Sequence, residues 1–294
     1  MSASEQTAMR SIRHPGPVTN ERTRAIACRA HALTLTLKPD RDINSSVANA
    51  FVEQGFEGGY IWLREVSMDV MRFVKPAASS DASHAAWYSE TFAMQGAMIL
   101  EAGLHAGTRD DQPFLHCHGT WRDADGHVDM GHLLPFEARL RQECQVQAIA
   151  LDGALLVARP DPETNFTLFT PEPRPASPLR GGARAVLATV RPNADLCLSL
   201  EAICSQHGIA TATVHGIGSL VGADYEDGTS LSAHASELYI RDGQVVSRQG
   251  QPRAMIDIAM IDLTDRQSAG RLKRGLNPVC VTAELLIVES RAEA

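Results

Sequence analysis

Hydrophobic and polar residues follow the same order in two separate stretches of the chain, residues 37–61 and 190–214. Each stretch has a proline, an aspartate three residues later, apolar residues at helical spacing, and then a glycine before a run rich in β-formers. Aspartate is a preferred helix N-cap, and glycine often follows the last residue of a helix. The pattern therefore predicts two helices, capped by Asp42 and Asp195, each leading into a strand.

Three more segments of the first half match segments of the second half. Residues 89–99 match 236–246, residues 113–136 match 252–275 without a gap, and residues 144–153 match 280–290. The first pair has the strand–turn–strand pattern of a hairpin, and the last pair is typical of a closing strand. The repeated order predicts two copies of one α+β unit, arranged in tandem.

A proline-rich stretch separates the two copies. Residues 159–182 hold six of the fifteen prolines of the chain, and their later part, PEPRPASPLRGG, is typical of a semi-rigid linker. The earlier part, TNFTLF, suits an edge strand of the first copy. The predicted division is a flexible arm at 1–21, a first unit at 22–170, a linker at 171–182 and a second unit at 183–290.

The composition is that of a folded protein with a negative surface. Apolar residues make up 44% of the chain and charged residues 21%, which excludes a globally disordered protein. The net charge of −8 repels a phosphate backbone and no basic stripe offsets it, so we expect no direct binding of nucleic acid. No run of about eighteen apolar residues predicts a membrane span, and we expect no secretion signal. The six scattered cysteines form no C-x-x-C pair, so we expect reduced thiols in a cytoplasmic protein.

The candidate chemistry lies in residues 114–134, FLHCHGTWRDADGHVDMGHLL, which contain four histidines. His116 and His118 are two residues apart and project from the same face of a predicted strand. The turn RDADG returns the chain, so a neighbouring strand can present His132 beside them, whereas His127 belongs to the turn. Three neutral imidazoles and a water form a tetrahedral set that suits Zn²⁺, and Ni²⁺, Co²⁺ and Fe²⁺ also accept such ligands.

The second copy has lost all three candidate ligands. Met255, Asp257 and Arg271 stand in the places of His116, His118 and His132. Joint loss is what a site under one shared constraint would show, and it favours a divalent metal site in the first unit. The alternative is that these histidines are polar groups that hydrogen bond at a subunit interface.

A metal that activates water also needs a general acid or base nearby. Glu90 is the favoured catalytic carboxylate, because Glu237 matches it in the second copy and both precede the same predicted strand. The position also suits a structural ion pair. Glu101, Asp123 and Asp125 are the other acidic residues near the cluster, and each suits a solvated surface or turn position.

Several of these motifs resemble the plant and prokaryote conserved domain, PPC, also called the DUF296 domain. The matching motifs are the two Pro-x-x-Asp helix entries, GIGSL at 216–220, HCH at 116–118, DADG at 123–126 and GHL at 131–133. The resemblance covers most of residues 22–158 and 183–290. The first copy departs from the pattern at 62–65, where WLRE replaces the GIGS loop.

The resemblance implies an antiparallel β-sheet with a flanking helix in each unit, and self-association, usually as a trimer. In plants the domain accompanies AT-hook DNA-binding motifs, and bacterial members are described as candidate DNA-binding proteins mainly by that association. No Arg-Gly-Arg-Pro hook core occurs in this sequence. The resemblance therefore adds no direct DNA contact to what the charge predicts.

Two functions fit the sequence. The first is a metal-dependent enzyme or small-ligand binder, with its pocket around the three histidines. The second is a non-catalytic assembly or regulatory module whose histidines line an interface, and which reaches nucleic acid through another protein.

Overall fold

The structure is a computed structural model and describes residues 9–176 and 181–290. The first half contains β1 (Thr23–Leu37), α1 (Ile43–Glu53), β2 (Gly59–Val74), β3 (Pro76–Ala77), β4 (Trp87–Tyr88), β5 (Phe92–Gln95), β6 (Met98–Arg109), β7 (Gln112–Arg122), β8 (Val128–Leu133), a 3₁₀ turn (Pro135–Glu137), β9 (Arg139–Leu140), β10 (Cys144–Asp152), β11 (Ala154–Pro160) and β12 (Thr167–Pro173). The second half contains β13 (Ala183–Val190), α2 (Leu196–Gln206), β14 (Ala212–Leu220), β15 (Ala223–Asp224), β16 (Ser230–Leu231), β17 (Ser236–Arg248), β18 (Gln251–Asp262), β19 (Gln267–Arg271) and β20 (Val279–Glu289). The described chain is therefore rich in β-structure.

Both helices begin and end where the sequence pattern places them. The side chains of Asp42 and Asp195 each accept a hydrogen bond from the backbone N–H three residues later, which caps α1 and α2. Gly55 and Gly208 follow the helices with φ of 77° and 64°, a left-handed conformation that glycine adopts without strain. No helix in the described part of the chain is long and apolar enough to cross a membrane.

Sixteen strands form one continuous sheet. Its order is β12-β11-β6-β7-β8-β2-β10-β1-β13-β20-β14-β17-β18-β19, with β5 and β9 paired to β2 and a further antiparallel pairing of β2 with β6. The pair of β11 with β6 is parallel, and its neighbours along the sheet are antiparallel. Antiparallel pairing of β1 with β13 joins the two halves within this sheet.

The central strands are buried on both faces, and alternate residues belong to different cores. On β10, Ala148 and Ala150 pack in the core under α1, whereas Ile149 and Leu151 join a core to which both halves contribute. In the second half, α2 covers one face of its strands in the same way. Each half therefore has a core between its helix and its strands, and a third core, formed by residues of both halves, lies on strand faces that no helix covers.

The elements of the two halves follow in the same order. The series β1, α1, β2, β6, β7, β8 and β10 is followed by the series β13, α2, β14, β17, β18, β19 and β20. The connection before β6 spans residues 75–97, whereas the connection before β17 spans only 221–235. The first half therefore has the longer loop, which includes the short strands β3, β4 and β5.

Part of the N-terminal segment packs against the second half, contrary to the expectation of a flexible arm at residues 1–21. The backbone N–H of Ile12 donates a hydrogen bond to Asn193 Oδ1 at 2.8 Å, and the Ile12 side chain is buried. His14 is also buried, with its Nε2 2.8 Å from the carbonyl oxygen of Cys280. These contacts hold residues 12–14 against the second half, while residues 1–8 lie outside the described residues.

The predicted linker at 171–182 begins inside a strand. Residues 171–173 belong to β12, which pairs with β11 at one edge of the sheet, where the TNFTLF segment suggested an edge strand. An edge strand tolerates Pro171 and Pro173, because on one side of it there is no neighbouring strand that needs hydrogen bonds from its backbone N–H groups. Linker residues 177–180 lie outside the described residues.

Candidate metal centre

β7 presents its two histidines to the second half of the molecule. Leu115 and Cys117 belong to the core under α1. Because side chains alternate along a strand, His116 and His118 project from the opposite face, where the sheets of the two halves meet. Cys117 therefore points away from the histidines, and no thiol lies between them.

The neighbouring strand brings the third histidine to the same point. His132 on β8 pairs directly with His118 on β7. The ring centroids are 4.6 Å apart for His116 and His118, 4.8 Å for His116 and His132, and 5.3 Å for His118 and His132. One nitrogen from each ring lies within 4.8 Å of the other two nitrogens. The three imidazoles predicted to converge do converge.

Hydrogen bonds orient two of the rings. Nδ1 of His118 is 3.0 Å from the carbonyl oxygen of Leu238, which can only accept, so Nδ1 carries the proton and Nε2 carries the lone pair. Nδ1 of His116 is 2.9 Å from each carboxylate oxygen of Glu284 and donates to it. The Nε2 atoms of the two rings then face each other at 3.0 Å. Two facing lone pairs repel, so this arrangement needs a positive charge, either a proton or a metal ion, between them.

His132 offers a further unsatisfied nitrogen. Its Nδ1 is buried and has no hydrogen-bond partner among the described residues. An orphaned buried polar atom costs about 1–3 kcal/mol, which coordination to a cation would offset. The donor set, three imidazole nitrogens of which one is orphaned, therefore fits a divalent metal of borderline softness.

The environment keeps the rings of His118 and His132 neutral. Burial lowers the pKa of His118 and of His132 well below the usual value of 6.5, and repulsion from His116 lowers both further. Metal ligation requires the neutral form of imidazole. Two of the three candidate ligands are therefore already in the binding form at neutral pH.

Glu284 is a member of the site that sequence reasoning missed. It lies on β20, is 1% exposed, and reaches the histidines from the second half. The sequence match of residues 144–153 with 280–290 also gave Glu284 the wrong counterpart. Thr36 and Thr189 occupy equivalent positions in the two halves, and Thr36 pairs with Gln145 whereas Thr189 pairs with Glu284. The available signal was a single charge inside the apolar strand VCVTAELLIVE. Gln145 takes the place of Glu284 in the first half.

Glu90, the predicted catalytic carboxylate, is not among the residues that the structure brings to the histidines. It is exposed, follows β4, and lines neither of the spaces next to the cluster. Its match with Glu237 was wrong because the loop before β6 is longer than the loop before β17. The strand pairing shows that Met98 is the counterpart of Glu237. Arg122 and Ile261 are matched residues of the two halves, and they pair with Met98 and Glu237 respectively.

The histidines line two spaces. One is a cleft of about 550 Å³, lined by His116, His132 and Glu284 among others. The other, next to it, is a small cavity of about 70 Å³, lined by His116, His118 and Glu237 among others. Glu237 is buried, and its Oε2 has no hydrogen-bond partner among the described residues. Burial raises the pKa of Glu237 well above its usual value, because the charged form of a carboxyl group is disfavoured away from water.

The other acidic residues have local roles. Asp123 Oδ1 accepts hydrogen bonds from the backbone N–H groups of Asp125 and His127, which closes the predicted turn between β7 and β8. His127 is solvent-exposed and lies apart from the three convergent histidines, as expected of a turn residue. Glu101 forms an ion pair with Arg64 at 3.1 Å.

The GIGSL motif lies within β14. A Cβ atom on Gly216 would collide with the carbonyl oxygen of Glu284, and one on Gly218 would crowd that of Thr282. The two glycines thus allow β14 to approach β20 closely, and so help to position the strand that carries Glu284.

No family model and no curated protein matches the sequence. Solved structures with a similar fold include a candidate DNA-binding protein from Ralstonia eutropha JMP134, 13% identical, with a TM-score of 0.38 over 47% of this chain and 89% of that one. A metal-containing protein from Archaeoglobus fulgidus is 20% identical, with a TM-score of 0.36 over 48% of this chain and 93% of that one. A PPC protein from Pyrococcus horikoshii is 20% identical, with a TM-score of 0.31 over 40% of this chain and 86% of that one. Each of these structures is similar to about half of this chain or less.

Proposed function

We propose that this protein binds one divalent cation, Zn²⁺ in the first instance, through His116, His118 and His132. With this site, the protein functions as a metal-dependent enzyme or as a binder of a small ligand. The observation that carries this proposal is the convergence of three imidazoles. The pKa values of His118 and His132 are lowered, and His116 and His118 are oriented by hydrogen bonds at Nδ1.

The spacing of the nitrogens suits zinc. At a Zn–N distance of about 2.0–2.1 Å, two ligands of a tetrahedral ion lie about 3.3 Å apart. The Nε2 atoms of His116 and His118 are 3.0 Å apart, and all three candidate donors lie within 4.8 Å of one another. Small side-chain rotations would complete the set. Glu284 supports it as the carboxylate that fixes the ring of a ligating histidine.

The two spaces beside the histidines suit a catalytic or ligand-binding role. A three-histidine metal keeps one open position, from which it can activate water or polarise a carbonyl group. The cleft at His116 and His132 gives a small molecule access to this position. Glu237, in the cavity at His116 and His118, places a buried carboxyl group of raised pKa close to the site. In this proposal Glu237 takes the place that the sequence had suggested for Glu90.

Metal content tests the proposal directly. The purified full chain, dialysed against Zn²⁺ and then against buffer, should retain one equivalent by elemental analysis. The double variant His116→Ala/His118→Ala should retain none. The variant His127→Ala is the matched control, because His127 is exposed in the turn, and it should retain one equivalent. A wild-type protein that retains no metal would overturn the proposal.

One observation favours the alternative, a non-catalytic assembly or regulatory module. Hydrogen bonds of the histidines cross between the halves: His118 reaches Leu238, and His116 and His105 reach Glu284. On this alternative the wild type binds no metal, and the double variant loses stability instead. We also propose that the chain consists of tandem PPC-like units and that it self-associates in a trimer-like assembly. Sedimentation of the full chain tests the assembly.

Direct binding of DNA is the least supported function. The net charge of −8 opposes it, so a salt titration of DNA binding should show no steep dependence on salt concentration.

A further inference from the structure

The cleft above His116 and His132 has the size of a small-molecule site. Its volume is about 550 Å³, within the range of about 300–1,000 Å³ that is usual for ligand pockets. The histidines and Glu284 supply polar groups at one part of its lining. Most of the remaining lining is apolar and aromatic, so the chemistry of the walls indicates what the cleft can hold.

Exposed aromatic side chains are concentrated at this cleft. Trp87, Tyr88 and Phe136 are 43%, 36% and 58% exposed, and they are the exposed aromatic residues of the described chain. All three line the cleft. A large apolar ring in water is unfavourable, and a cluster of such rings commonly marks a binding surface.

The rings form two groups, each in contact with a candidate metal ligand. Trp87, Tyr88 and Phe166 form the first group, in which the Trp87 and Phe166 rings stack at 5.2 Å, and Tyr88 lies 5.3 Å from His132. The second group consists of Phe114, Phe136 and Phe169, and Phe169 lies 6.4 Å from His116. The aromatic surface therefore extends on both sides to the histidines. A flat ring bound there would pack against aromatic faces and edges.

One exposed positive charge at the cleft can attract an anion. Arg109 lines it, with its guanidinium 5.6 Å from the Phe114 ring centroid. Its ion pair with Asp110 is long, at 3.8 Å, and solvent-exposed, so the guanidinium remains available to another anion. Of the carboxylates in the lining, Glu137 pairs with Arg72 and Glu284 pairs with His116. A cation held by the histidines would add further positive charge.

We propose that the cleft binds a small aromatic carboxylate, with its ring between the two aromatic groups and its carboxylate directed at the histidines. This inference rests on the proposed metal site. Arg109, at the end of β6, attracts the anion and favours it over a neutral analogue. The cleft would thus select its ligand by two features, a flat ring and a negative charge.

Calorimetric titration of the Zn²⁺-loaded full chain with 2-naphthoate tests the inference. Two comparison ligands separate the features: 2-naphthamide keeps the ring without the charge, and octanoate keeps the charge without the ring. We expect 2-naphthoate to bind at least tenfold more tightly than either. Equal affinity for the three ligands, or no binding of 2-naphthoate, would overturn the inference.

Two variants locate the site on the exposed surface, where truncation does not disturb the core. Phe136→Ala should weaken the binding of 2-naphthoate about tenfold, whereas Leu198→Ala, which truncates an exposed apolar side chain on α2, should not change it. Arg109→Gln should weaken the binding of 2-naphthoate but not that of 2-naphthamide. Unchanged affinity in Phe136→Ala would place any binding elsewhere and contradict the inference.

Metal dependence separates this inference from the proposed function. Chelator-treated wild type should bind 2-naphthoate at least tenfold more weakly than the loaded protein. If the protein retains zinc but fails the ligand titrations, the inference is wrong and the metal site stands. If the protein retains no zinc, the proposed function fails, and the inference fails with it.

Discussion

Nδ1 of His116 on β7 donates a hydrogen bond to the carboxylate of Glu284 on β20, with both oxygens at 2.9 Å. The two residues are 168 positions apart and belong to different halves of the molecule. The second half has no counterpart of the three histidines, yet it supplies the carboxylate that orients one of them. The candidate metal centre is therefore built by both halves.

Loss of the Glu284 charge should weaken metal binding without loss of the fold. Glu284→Gln keeps the shape of the side chain but removes the charged acceptor of His116, and loss of such a partner typically costs about 10–100-fold in metal affinity. Zinc affinity measured by competition with a chromophoric chelator checks this expectation. Glu289→Gln is the matched control on the same strand, because Glu289 pairs with Arg184 rather than with a histidine. Equal zinc affinity in Glu284→Gln and wild type would contradict the role of Glu284.

Replacement of Glu237 should stabilise the metal-free protein most at high pH. Burial raises the pKa of Glu237 above its usual 4.5, so the folded state holds this proton more tightly than the unfolded state. The free energy of unfolding then falls as the pH rises above 4.5, by up to about 1.4 kcal/mol per pH unit. Urea denaturation should show Glu237→Gln gaining more stability over wild type at pH 8 than at pH 5. An equal gain in stability at both pH values would contradict this expectation. The control variant Glu90→Gln, at an exposed site, should give no gain in stability.

His215 should make the protein sensitive to mild acid. Burial lowers its pKa to about 4, and repulsion from His105 adds to the effect. Because the unfolded state binds this proton near pH 6.5 and the folded state does not, stability falls as the pH drops from 6.5 to 4, by about 3 kcal/mol for this group. His215→Gln should flatten the fall in the free energy of unfolding over that interval, measured by urea denaturation without metal. An unchanged slope would show that His215 does not contribute.

A buried carboxylate that is not among the candidate metal-site residues should be important for stability. Glu163 is 1% exposed and forms ion pairs with Arg22 at 2.8 Å and Arg191 at 3.3 Å. Glu163→Gln should lower the free energy of unfolding by about 2–3 kcal/mol, because it removes a charged acceptor from two partly buried arginines. Glu172→Gln, which breaks the more exposed pair with Arg159, should cost less than about 1 kcal/mol. An equal loss in the free energy of unfolding for the two variants would refute the expectation. The zinc content should stay the same in both variants.

Features that depend on a few neighbouring residues could be predicted from the sequence. The helix caps Asp42 and Asp195, the turn closed by Asp123, and the shared face of His116 and His118 all follow from local rules of hydrogen bonding and side-chain alternation. The convergence of His132 also followed, because a short turn between adjacent strands leaves few registers.

Contacts between distant segments were decided by the tertiary structure alone. Glu284 and the Leu238 carbonyl meet the histidines because two sheet faces pack together, and no short-range pattern specifies which residues then lie opposite each other. The loop at 75–97 likewise displaced Glu90 from the place that its match with Glu237 had suggested, since strand register follows the ladder of backbone hydrogen bonds rather than the count of residues. The sequence by itself determined the two helices and the three candidate ligands. It did not determine every strand, because residues 236–246, predicted as a hairpin, lie within the single strand β17. The packing of one half on the other determined the partners of those ligands, because burial and charge pairing across an interface depend on the position of every layer at once.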